Sequence, residues 1–81
     1  MSNLLAVDLK IKEIISSVLS IPLSLINDNA SPADYEQWDS LRHMNIIAAL
    51  EDQFGVFFSD DEMAEMTNLI SITILIKSKL A

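Results

Sequence analysis

Apolar residues near the start of the chain recur at three- and four-residue steps: Leu4, Val7, Ile11, Ile14, Ile15 and Val18. That spacing is the stripe of an amphipathic helix and predicts one over about residues 4–19. Asn3 stands where it can cap this helix, and Asp8 with Lys12 forms a candidate i,i+4 ion pair. Pro22 is expected to end it, because Ile21 is pushed out of the helical region.

Residues 20–38 are rich in turn formers and read as a long loop. Within it, Ser31-Pro32-Ala33-Asp34 has the order of a short helical turn: a capping Ser, Pro in first position, and an acid three residues after the cap. A loop of this length needs anchors or a function, and Ile26, Tyr35 and Trp38 are the expected anchors. A second helix starts at Asp39 or Ser40. Leu41, Met44, Ile46, Ile47, Ala48, Leu50 and Phe54 fill a wide apolar arc on it, opposite Arg42, Asn45, Asp52 and Gln53, and Gly55 is placed to terminate it.

Ser59-Asp60-Asp61-Glu62 is a capping box and predicts a short third helix to about Met66. Thr67 or Asn68 can cap a last helix over residues 69–79, with Leu69, Ile72, Ile76 and Leu80 along one side and Lys77 and Lys79 near its carboxyl end. A second period competes here. Ile70, Ile72, Ile74 and Ile76 alternate as a strand would, and β-branched residues favour strands. Only Val56-Phe57-Phe58 offers a partner, and a sheet of two such short strands is marginal. The helix is therefore the expectation, and the fold class is all-α.

Composition supports this. One Gly and two Pro leave few breakers in 81 residues, and 51% apolar with 6% aromatic content makes the core mainly Leu and Ile. One domain spanning residues 1–81 is expected, with a core so small that caps and local pairs carry a share of its stability. The absence of Cys removes disulfides, thiolate metal sites and a Cys nucleophile. Met1-Ser2-Asn3 lacks a basic signal region, and Leu69–Ile76 is too short to span a bilayer, so a cytoplasmic location without membrane insertion is expected.

Charge is uneven. Residues 28–65 hold ten acids against Arg42 alone, a net of −9 within a chain of net −7. Such a middle repels nucleic acid and anionic membranes; it either steers basic protein partners or serves as a solvated face.

Little conventional chemistry fits. Asp39, Ser40 and His43 superficially suggest a triad, but a single His on the same helix as the Ser has no separate scaffold to aim it, and no oxyanion hole is identifiable. His43 reads as a partly exposed helix residue without a special role. Asp60, Asp61, Glu62 and Glu65 lack the spacing of a calcium loop, and no metal site is expected. Ser40 itself remains. At the first turn of a helix it is offered to solvent, where the helix dipole and unpaired N–H groups favour an anion such as a phosphate ester. An ordinary helix cap explains the same residues.

Context weighs between the two. Asp39-Ser40-Leu41, then Ile47, Leu50-Glu51 and Phe54, resembles the D-S-L…L-E-x-x-F pattern of acyl carrier proteins. Gly55-Val56, Asp60-Asp61-Glu62 and Thr67 extend the resemblance over nearly the whole chain. It implies a four-helix bundle with a long loop between helices 1 and 2 and a short third helix. It further implies a carrier rather than an enzyme, with phosphopantetheine attached to Ser40, flanked by Asp39 and Leu41. A phosphopantetheinyl transferase would install the arm from coenzyme A with Mg²⁺, and acyl or aminoacyl cargo would be held as a thioester on the arm's thiol. Acyl-loading and acyl-transfer enzymes with basic docking patches would then meet a monomer around helix 2, at Arg42, Met44, Asn45, Glu51 and Asp52, with Met66 joining them. Met44 and Met66 equally suit a core.

Positions 42 and 45 are often acidic in carriers for fatty acid synthesis. Arg42 and Asn45, with Trp38 before the D-S-L and His43 after it, look more like specialised stand-alone carriers. The competing reading is a small acidic helical adaptor that binds a basic partner and has no prosthetic group.

Overall fold

The computed structural model describes residues 4–80. Helices α1 (Leu4–Leu19), α2 (Ser40–Phe54), α3 (Asp60–Glu65) and α4 (Leu69–Leu80) follow in order, with 3₁₀ turns at Leu23–Leu25 and Pro32–Asp34 in the long α1–α2 connection. No strand occurs among the described residues. α1 packs against α2 and α4, and α3 against α4.

In α1 the predicted stripe faces inward: Ile11 and Ile15 are fully buried, while Val7, Ile14 and Val18 flank them. The cap expected at Asn3 lies outside the described residues. The carboxyl end forms before Pro22 can act. Ser20 adopts a left-handed φ of 57°, the Ile21 N–H donates to the Ser16 carbonyl at 3.1 Å, and the Ser20 N–H donates to Ser17 at 3.3 Å. This is a Schellman closure with Ser where Gly is usual. The strain of a left-handed Ser, roughly 1–2 kcal/mol, is offset by burial of Ile21 and by the Ser16 hydroxyl donating to the Ile21 carbonyl.

The i,i+4 pair expected between Asp8 and Lys12 is not formed. Lys12 pairs instead with Asp28 of the long loop, and Asp8 with Lys77 of α4 at 2.8 Å. Both charges are turned toward neighbouring segments, where a tertiary partner replaces the local one.

The loop is anchored as expected. Ile26 and Trp38 are buried. Tyr35 is half-buried, donates from its hydroxyl to the Leu25 carbonyl at 2.7 Å, and accepts from the Asn27 N–H at 3.1 Å. Ser31 and Asp34 form the expected capping box around Pro32. Midway along the loop, the buried Ala30 accepts a hydrogen bond at 2.8 Å from the first amide of α4, that of Leu69.

α2 ends at Gly55, whose left-handed φ of 65° a residue without a Cβ adopts at no steric cost. Ser59 and Glu62 cap α3 reciprocally. Asn68 caps α4, its side-chain oxygen accepting from the Ser71 N–H at 2.8 Å. The isoleucine alternation of α4 resolves as a helix. Leu69, Ile72 and Ile76 enter the core, whereas Ile70 and Ile74 stay exposed. Burying a three-four stripe against α1 outweighs the local strand preference.

Candidate functional site: the amino end of helix α2

The apolar arc expected on α2 divides. Ile46, Ile47 and Leu50 are buried, but Leu41 is 71% and Met44 56% exposed, because the bundle covers only the later turns. The first turn therefore projects beyond the core. Asp39 caps it: its carboxylate accepts from the Arg42 N–H at 2.8 Å, and the Arg42 guanidinium reaches the same carboxylate at 3.5 Å. The Asp39 carbonyl accepts from the His43 N–H at 2.8 Å. Ser40, the first helical residue, is exposed.

Beside Ser40 lies an open hollow of ≈600 Å³ lined by Pro32, Trp38, Asp39, His43, Met44, Met63, Met66 and Thr67. Its wall is soft and apolar, three methionines and an indole. A second groove of ≈510 Å³ runs between α1 and α4 under Leu9, Ile70 and Ile74 and does not include Ser40.

Of the residues expected to meet partners, Leu41, Arg42, Met44, Asn45 and Asp52 are exposed. Glu51 is half-buried, and its carboxylate accepts from the Phe58 N–H at 3.0 Å, pinning the loop after α2. Met66 requires correction. It follows α3 as its cap and is fully buried, so its side chain belongs to the core and to the floor of the hollow rather than to an outer docking face.

His43 is a partly exposed helix residue, as expected, but it is not without a partner. It is half-buried and accepts a hydrogen bond at Nδ1 from the Trp38 Nε1–H at 3.0 Å, with the rings tilted by 32° and 6.0 Å apart. Burial lowers its pKa below the ordinary histidine value, opposed by a hydrogen bond to the Met66 backbone. The signal was present in the sequence, since a buried Trp N–H seeks an acceptor and the one His stands five residues away.

An accessible hydroxyl at a helix amino end, with the dipole's positive end beside it and an apolar hollow adjoining, fits a phosphodiester-linked arm. The family model for the phosphopantetheine attachment site matches residues 9–76, a span that contains this corner. The chain belongs to the acyl carrier protein family. It is 40% identical over 68 residues to the acyl carrier protein of Buchnera aphidicola subsp. Schizaphis graminum, covering 84% of this chain and 85% of that one. It is 34% identical over 76 residues to an acyl carrier protein homolog of Mycoplasma genitalium, covering 90% and 87%. The solution NMR structure of holo acyl carrier protein from Geobacter metallireducens superposes with a TM-score of 0.79 at 28% identity, over 88% of this chain and 82% of that one.

As an acyl carrier protein the chain is a carrier and not an enzyme, and its prosthetic group is a covalently attached phosphopantetheine. Acyl carrier proteins work with transferases and acyl-handling enzymes, so the adaptor reading is not favoured. No helix among the described residues is long and apolar enough to cross a membrane.

Proposed function

We propose that Ser40 carries the phosphopantetheine arm and that the chain, as a single carrier domain, delivers acyl or aminoacyl thioesters within a specialised biosynthetic pathway. The observation that carries this reading is the exposure of Ser40 at the first turn of α2, beside the apolar hollow. The bound group supplies a terminal thiol, the only one available to a chain without Cys. Asp39 fixes the start of the helix, and Leu41 and Met44 give a transferase or acyl-transfer enzyme an apolar foothold. Asn45 and Asp52 continue this exposed stripe down α2.

Specialisation rests on Arg42 and Asn45. Arg42 places a cation, half-exposed and shared with Asp39, where a basic patch built for acids would be repelled. A dedicated partner offers an acid there instead. The test is incubation with coenzyme A, Mg²⁺ and a broad-specificity phosphopantetheinyl transferase, followed by intact mass. One phosphopantetheine per chain is expected for the wild type and none for Ser40→Ala. Uptake by Ser40→Ala at the wild-type rate overturns the assignment.

A further inference from the structure

The Trp38–His43 hydrogen bond spans Ser40. Trp38 is the last buried residue of the long loop, Asp39 and Ser40 follow it, and His43 lies on the first turn of α2. We propose that this bond is a proton-releasable latch holding the Asp39–Ser40 segment in register, and that His43 is a positioning residue for chemistry at Ser40.

An indole Nε1–H only donates, and a histidine Nδ1 accepts only while it carries no proton. The bond at 3.0 Å therefore requires Nδ1 to be bare, and the neutral ring carries its proton at Nε2. Met66 of the α3–α4 junction lines the same hollow as the ring. One side chain of α2 thus ties the loop end to the helix that begins at Ser40. Protonation at Nδ1 sets two donors face to face and breaks the Trp38 link.

Few charges oppose this. The loop end contributes Trp38 and Asp39 to the hollow, the second 3₁₀ turn contributes Pro32, and α3 with the junction contributes Met63, Met66 and Thr67. Asp39 is the acid among them, and its carboxylate is held by the Arg42 N–H and guanidinium. Burial, the largest influence on the ring, favours the neutral form. The folded pKa lies below the unfolded one, so the latch is fully engaged above the ordinary histidine value of about 6.5. It is lost, with the stability it confers, as pH falls through the lower folded value.

The chain has one Trp and one His, so each reports without ambiguity. In the full apo chain the Trp38 Nε1–H resonance should move in a single transition whose midpoint equals that of the His43 ring and lies below that of an ordinary histidine. Trp38→Phe removes the donor that stabilises the neutral ring, so the His43 midpoint should rise. In His43→Gln the amide oxygen can still accept, and the Trp38 transition should vanish. The kinetic consequence rests on the Ser40 reading. The ratio of arm-attachment kcat/KM for wild type over His43→Gln should fall about threefold or more from neutral to acid pH, a ratio that cancels the transferase's own pH profile. A Trp38 resonance indifferent to His43 protonation, an unchanged His43 midpoint in Trp38→Phe, or a flat ratio would each overturn the latch. Arm uptake by Ser40→Ala would instead overturn the attachment reading, and the two resonances would still decide the latch.

Discussion

Both halves of α2 carry large apolar side chains, and these meet opposite fates. From Ile46 to Phe54 the helix buries Ile46, Ile47 and Leu50 against the bundle and ends in a left-handed Gly55. From Ser40 to Met44 it leaves Leu41 and Met44 in solvent and holds its shape through the Asp39 cap and the Trp38–His43 contact. The later turns are fixed by packing, so their side chains are committed to the fold. The early turns are fixed by hydrogen bonds at the backbone and rim, which leaves their outward side chains available to other proteins. A carrier that visits several enzymes needs both conditions on one rigid rod.

The largest effect should separate the halves by stability. Leu50→Ala should cost about 2–5 kcal/mol in urea unfolding, since it opens a cavity in the core, whereas Leu41→Ala should change stability by no more than about 0.5 kcal/mol. Leu41→Ala should instead raise the KM of the phosphopantetheinyl transferase. Equal destabilisation by the two would erase the distinction between the halves.

Changes at the two ends of the helix should be smaller and closer in size. At Gly55 no atom lies within 4 Å of where a Cβ would stand, so Gly55→Ala meets no clash and costs only the left-handed strain, about 1–2 kcal/mol. Asp39→Ala should cost about 1 kcal/mol as a lost cap and should also slow arm attachment. Normal attachment to a destabilised Asp39→Ala chain would show that the cap serves the fold alone.

The smallest effect concerns partner choice. An Arg42→Asp, Asn45→Glu double mutant should be turned over by a fatty-acid ketosynthase a few-fold better than wild type at low salt, with the gain shrinking as salt screens it. Identical turnover would remove these two positions from the specificity of the early half.

Much of this architecture was legible in the sequence because caps and periodicity are local. The spans of α1 and α4, the Gly55 stop, the Ser59–Glu62 box and the loop anchors Ile26, Tyr35 and Trp38 all follow from neighbours a few residues apart. What failed depended on distance. The Asp8–Lys12 spacing is favourable, yet Lys77 and Asp28 compete from elsewhere in the chain. Met44 and Met66 are alike on paper, but one lies on a turn beyond the bundle and the other caps α3 with its side chain turned inward. The exposed Ser40 corner was visible from its motif. The His43 contact was legible only through the need of the Trp38 N–H for an acceptor, because a hydrogen bond across a loop–helix boundary leaves no period to read.

The bond from Leu69 to Ala30 has a consequence for exchange with solvent. The first amides of a helix have no partner within it and ordinarily trade their protons with water quickly. The Leu69 amide instead points into a buried carbonyl of the long loop. Its deuterium uptake should be slow, set by detachment of the loop from α4 rather than by fraying of the helix end. That single proton makes a clock for the opening of the loop.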